Sequence, residues 1–168
     1  MDINNTVLIN AINCSDLDCF RHLIDNDMID YDKLYNEYQS LLIDIIYYQN
    51  MDDNAYNLFA LALIATGKSK PEYIDDNGNT ALIWACRNDM TDVAIALIAT
   101  GQSLPEHVNN AGCTALLCAC RNEMTDVALA IIATGQSNAE HVNNLGFTAL
   151  TYAICNNMTA VIDALNAL

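Results

Sequence analysis

Self-similarity at a fixed period constrains this chain more than any other feature. Gly78, Gly112 and Gly146 are 34 residues apart, as are Thr80, Thr114 and Thr148, Met90, Met124 and Met158, and Gly67, Gly101 and Gly135. Residues 76–109 and 110–143 agree at about two-thirds of positions. A unit of that length is one supersecondary element, too small to bury an apolar face alone, so neighbouring units must stack and share a core.

Within a unit, Thr80 is placed to cap a short helix whose apolar residues are Leu82, Ile83, Ala85 and Cys86. After Asn88-Asp89-Met90, Thr91 is placed to cap a second helix, with Asp92 in its positive first turn and Val93, Ala94, Ala96, Leu97 and Ile98 on its apolar face. Gly101 then supplies the left-handed residue that ends it. The earlier chain follows the same register from Thr6 and from Ser40, with a lengthened turn over 49–54. The pattern predicts helix pairs at 5–12 and 16–25, 37–48 and 54–66, 80–87 and 91–100, 114–121 and 125–134, and 148–155 and 159–167. Ile64, Ile98 and Ile132 share a register slot that becomes Asn166 in the last unit, which reads as a cap facing water.

Composition narrows the function classes. With 21 acidic and 6 basic residues the net charge is −15, a field that repels nucleic-acid backbones and anionic membranes. Neither a leader peptide nor an apolar run long enough for a bilayer is expected. The seven cysteines form no zinc spacing and read as free thiols in a reducing compartment, the cytosol. His107 and His141 lie 34 apart without a thiolate or carboxylate at ligand spacing, so they read as loop residues. No phosphate loop, nucleophile elbow or Cys/His arrangement appears; neither catalysis nor a cofactor or metal is expected.

The segments Thr80-Ala-Leu-Ile-Trp-Ala, Thr114-Ala-Leu-Leu-Cys-Ala and Thr148-Ala-Leu-Thr-Tyr-Ala, together with Val93 to Gly101, resemble ankyrin repeats. The phrasing Ala99-Thr-Gly-Gln-Ser, Pro105-Glu-His-Val-Asn and Met124-Thr-Asp-Val-Ala is most similar to the ankyrin arrays of giant double-stranded-DNA viruses. The resemblance is strong over 55–168 and weak over the first 54 residues. It implies an all-α solenoid of about five stacked helix-turn-helix repeats forming one domain over 1–168. The units lie near 1–35, 36–75, 76–109, 110–143 and 144–168, with the first two divergent and the last a cap. Ala81, Ala115 and Ala149 replace the family's proline, and Ile83, Leu117 and Thr151 its histidine, which removes the family's Thr-to-His hydrogen bond. Asp89, Glu123 and Asn157 replace its inter-helix glycine, and the hairpin from Gly101 to Gly112 has one extra residue.

The resemblance further implies a monomeric protein-interaction scaffold that binds a protein, a host protein in the host cytoplasm if the chain is viral. The concave face of hairpin tips and first helices would comprise Asp76, Asn77, Asn79, Arg87 and Asn88, then Asn110, Ala111, Cys113, Arg121 and Asn122, then Asn144, Leu145, Phe147, Cys155 and Asn156. Phe147, Leu145, Arg87 and Arg121 are its informative members, since aromatic and arginine side chains dominate binding hot spots. The alternative is a substrate of an asparaginyl hydroxylase, for which Val108-Asn109 and Val142-Asn143 match superficially.

Overall fold

A computed structural model of the chain describes residues 3–32, 34, 40–47 and 55–168. Among the described residues ten helices have both ends defined: α1 (Ile3–Asn13), α2 (Leu17–Asp25), α3 (Leu41–Tyr47), α4 (Ala55–Ala65), α5 (Ala81–Arg87), α6 (Thr91–Ala99), α7 (Ala115–Arg121), α8 (Thr125–Ala133), α9 (Ala149–Cys155) and α10 (Thr159–Asn166). Among the described residues no strand forms; Ile74 and Thr80 make an isolated antiparallel bridge. The expected helix pairs are present within a few residues at each end. The predicted onset of the third helix at 37 and the turn over 49–54 lie outside the described residues.

Contacts divide the chain into two compact units, residues 1–70 and 71–168. In the first, α1 packs on α2, α2 on α4 and α3 on α4. Its core is built from Leu8, Phe20, Leu42, Ile46, Phe59 and Leu63, each fully buried, and the rings of Phe20 and Phe59 meet at 4.7 Å. Asp16 caps α2 by accepting from Cys19 N at 2.9 Å, and Ser40 caps α3 by accepting from Ile43 N at 3.2 Å. Thr6 lies inside α1, which begins at Ile3, so it opens no helix. Lys68, after α4, pairs with Asp27, after α2, at 2.7 Å while standing 4.6 Å from the Tyr31 ring centre.

The second unit holds three successive repeats. Their first helices, α5, α7 and α9, pack in a row, and their second helices, α6, α8 and α10, form a parallel row behind. Thr80, Thr114 and Thr148 cap the first helices as expected, each hydroxyl accepting from the backbone N–H three residues on. The second helices differ from expectation. Thr91, Thr125 and Thr159 are the first helical residues, and the cap positions belong to Met90, Met124 and Met158, whose side chains make no capping bond. The reason is packing: these methionines are 2%, 5% and 5% exposed, so the slot spends its side chain on the core. Asp89, Glu123 and Asn157 turn the chain between helices at φ of 55°, 60° and 54°, so Glu123 takes the same left-handed backbone as its neighbours. The longer hairpin uses a second left-handed residue, Leu104 at 50° and Asn138 at 45°.

Thr151 recovers part of what its lost histidine supplied. Its hydroxyl accepts from Thr148 N at 2.6 Å while Thr148 accepts from Thr151 N, a reciprocal capping box. Ile83 and Leu117, in the same slot, are instead buried in the stack.

Candidate protein-binding face

The hairpin tips are shaped by one residue per repeat. Asp75, Asn109 and Asn143 each use Oδ1 to accept from the backbone N–H groups two and four residues on, at 2.7–3.0 Å. This closes each tip into a tight turn around Gly78, Gly112 or Gly146. The asparagine Nδ2 is then free to reach back, and Asn109 donates to Asn79 Oδ1 at 2.7 Å. Asn109 and Asn143 are therefore 5% exposed, and a hydroxylase would have to open the hairpin to reach either.

Asparagines also join consecutive repeats. Asn122 Nδ2 donates to the Cys86 and Arg87 carbonyls at 2.8 and 3.1 Å, and Asn156 does the same to Cys120 and Arg121 at 2.9 and 3.1 Å. Those carbonyls end α5 and α7, where no further turn of helix follows; that of Cys120 also accepts from Glu123 N at 3.4 Å. Asn110 donates to the Asp76 carbonyl and Asn144 to that of Asn110. His107 and His141 donate from Nε2 to the Gly78 and Gly112 carbonyls at 2.9 and 3.0 Å, which makes them hairpin ties.

Of the residues expected on the face, Asn79 is withdrawn from it: at 1% exposed, its side chain presents nothing to a partner. Asn122 and Asn156 are half-buried ladder residues, and Asn88 and Cys113 are also half-buried. Asp76, Asn77, Arg87, Asn110, Ala111, Arg121, Asn144, Leu145, Phe147 and Cys155 are exposed. Leu145 is 76% and Phe147 40% exposed. Among the described residues neither arginine forms an ion pair; Arg87 lies over the Trp84 ring at 4.6 Å.

Two residues absent from the sequence-based face matter to it. Trp84 holds Asp75 Oδ2 through its indole N–H at 2.7 Å, and Tyr152 stacks beneath Phe147 with ring centres 5.2 Å apart. The sequence signal for both is a pair of varying slots in an otherwise repeated frame, the residue before the capping threonine and the one five further on.

In the first unit a cleft of ≈ 250 Å³ is lined by Ile9, Ile12, Asn13, Leu41, Asp44, Ile45 and Tyr56. Burial raises the Asp44 carboxyl above its ordinary range. No helix among the described residues is long and apolar enough to cross a membrane.

A comparison with curated proteins returns no match. A family model for ankyrin repeats in three copies matches residues 1–139, including the first 54 residues where the motif resemblance is weak. Ankyrin repeats are generally protein-interaction scaffolds and are typically not enzymes. On a match covering most of its length, the chain belongs to the ankyrin repeat family.

Proposed function

We propose that this chain is a scaffold that binds a protein partner through the exposed part of its hairpin-tip and inner-helix face, centred on Leu145, Phe147 and Arg121. The observation that carries this reading is the exposure of two large apolar side chains, Leu145 and Phe147, on a hairpin tip of a repeat that asparagine hydrogen bonds tie to the repeat carrying Arg121. Asp76, Asn77, Arg87, Asn110, Ala111, Asn144 and Cys155 extend the face. In this reading the protein acts as a monomer in the cytoplasm, a host's if it shares the origin of the giant-virus arrays it resembles. Hydroxylation at Asn109 or Asn143 has no comparable support, because both are buried in their turns.

A photo-crosslinking residue placed at 147 tests the reading against one at 95, since Ile95 is similarly exposed on the second-helix row. Position 147 should capture a protein that position 95 does not, with capture lost on Arg121→Glu. Equal capture at both positions would refute the face. Phe147→Ala should weaken the captured complex by about 1–3 kcal/mol. Its thermal stability should fall only slightly, because a half-exposed stacked pair is worth about 0.5–1.5 kcal/mol.

A further inference from the structure

Ser40 caps α3 as Thr80, Thr114 and Thr148 cap the first helices of the second unit. Four residues after those threonines stand Trp84, Cys118 and Tyr152, and four after Ser40 stands Asp44, a carboxylate in a slot that otherwise holds a ring or a thiol. Asp44 is half-buried, and among the described residues neither a hydrogen-bond donor nor a cation meets its carboxylate. Burial is the one cause that raises it above the ordinary range. An unpaired, partly desolvated carboxylate costs stability. Side chains that break a local pattern at such a cost mark the places where a protein binds something.

The carboxylate opens on the cleft of ≈ 250 Å³ in the first unit. α1 supplies Ile9, Ile12 and Asn13 and α3 supplies Leu41, Asp44 and Ile45, in each case one helical face at spacings of three and four. Tyr56 adds the start of α4, with its ring edge-on to that of Phe59 at 6.1 Å. In the second unit the first helices of successive repeats pack directly on one another, whereas α1 and α3 stand further apart and the cleft is the space between them. Its walls are alkyl chains and one ring. Its polar groups are the Asp44 carboxylate, the Asn13 amide and the Tyr56 hydroxyl, each able to accept a hydrogen bond. A primary ammonium is the complement of that set, with three N–H donors and no acceptor. Since an apolar cavity of about 150 Å³ holds benzene, the cleft has room for about ten non-hydrogen atoms, and a lysine side chain would fill only about half of it.

We propose that the cleft between α1 and α3 is a binding site for a small primary amine with an aromatic or branched apolar body, its ammonium on Asp44 and its body against Ile9, Ile12, Leu41 and Ile45. Residues 1–76 carry 14 acids and four bases, a field that concentrates cations around the site. The hairpin-tip face is built from other residues, so neither reading depends on the other.

The test titrates phenethylamine into the full chain at neutral pH and follows backbone amide signals by nuclear magnetic resonance. Signals of α1, α3 and the start of α4 should shift and saturate, with a Kd on the order of 0.1–1 mM. Asp44→Asn should weaken binding by about ten- to hundredfold. The uncharged analogue 2-phenylethanol should bind the unmodified chain as poorly. Asp44→Asn relieves a buried charge and keeps the fold, which circular dichroism checks. Ile9→Phe fills the cleft from a half-buried wall, leaves Asp44 in place, and should also abolish binding. No saturable shift in these helices below about 10 mM phenethylamine would overturn the proposal. So would undiminished binding by either variant, or 2-phenylethanol bound as tightly as the amine. Butylamine, which is a lysine side chain in isolation, should bind about tenfold more weakly than phenethylamine. If it binds as tightly, the cleft takes a lysine of a partner protein and the small-molecule assignment falls.

Discussion

Gly78 and Gly112 have two reasons to be glycine, and Gly146 has one. All three carry a left-handed backbone, at φ of 74°, 72° and 85°. A Cβ on Gly112 would also lie 2.5 Å from Asn144 Oδ1 and 2.8 Å from its backbone nitrogen, while one on Gly146 would meet nothing within 4 Å. Both alanine substitutions incur the backbone strain of about 1 kcal/mol. Gly112→Ala should lose about 1–3 kcal/mol more, because the next hairpin must shift to admit the methyl group. Urea unfolding of the two variants measures the difference, and equal losses would show that the hairpins do not approach as described. The asparagines divide in a similar way: Asn79, Asn109 and Asn143 are buried in the turns, and Asn77 is exposed at a tip.

At the scale of elements, the helices depend on one another for their ends. A seven-residue helix is far too short to persist alone, and α5 and α7 have their last carbonyls satisfied by Asn122 and Asn156 of the following repeat. Asn122→Ala should therefore cost about 1–2 kcal/mol of unfolding free energy. Asn122→Asp should cost more, since it keeps the shape but points a carboxylate at two carbonyls at the negative end of a helix. In the first unit, α3 carries its own liability. Asp44 is pushed up by burial, so its charged form is disfavoured in the folded state. That penalty is present above the raised folded value, diminishes as pH falls through it, and is absent below the unfolded value, where both states are protonated. Asp44→Asn should thus raise the melting temperature at neutral pH and leave it unchanged near pH 3. A gain of equal size at both pH values would place its origin elsewhere.

Across the whole molecule the charge is lopsided. Residues 1–76 carry 14 acids and four bases, and residues 77–168 carry seven acids and two arginines, giving −10 and −5. A basic partner that draws on the N-terminal repeats should bind several-fold more weakly between about 0.05 and 0.5 M salt, mainly through slower association. Affinity that is flat over that range would mean the acidic surface only keeps the protein soluble.

The 34-residue spacing by itself determined the helix pairs, the threonine caps of the first helices and the glycine stops of the second, because these are local properties of a few consecutive residues. It also singled out Phe147, an aromatic in the slot that holds Asn79 and Cys113 in the earlier repeats, and Leu145, an apolar residue at a hairpin tip. Tertiary structure alone decided the rest. Thr91 is no cap because Met90 is drawn into the core. Asn79 leaves the face because Asn109, 30 residues away, reaches back to it, and Asn122 becomes a tie to carbonyls 35 and 36 residues earlier. Phe147 and Tyr152 become a pair for a similar reason: the turn before α9 folds one slot onto the other, so that the two rings stack. Such contacts depend on how far one repeat advances past the previous one, a distance set by the packed core and carried by no single segment of the chain.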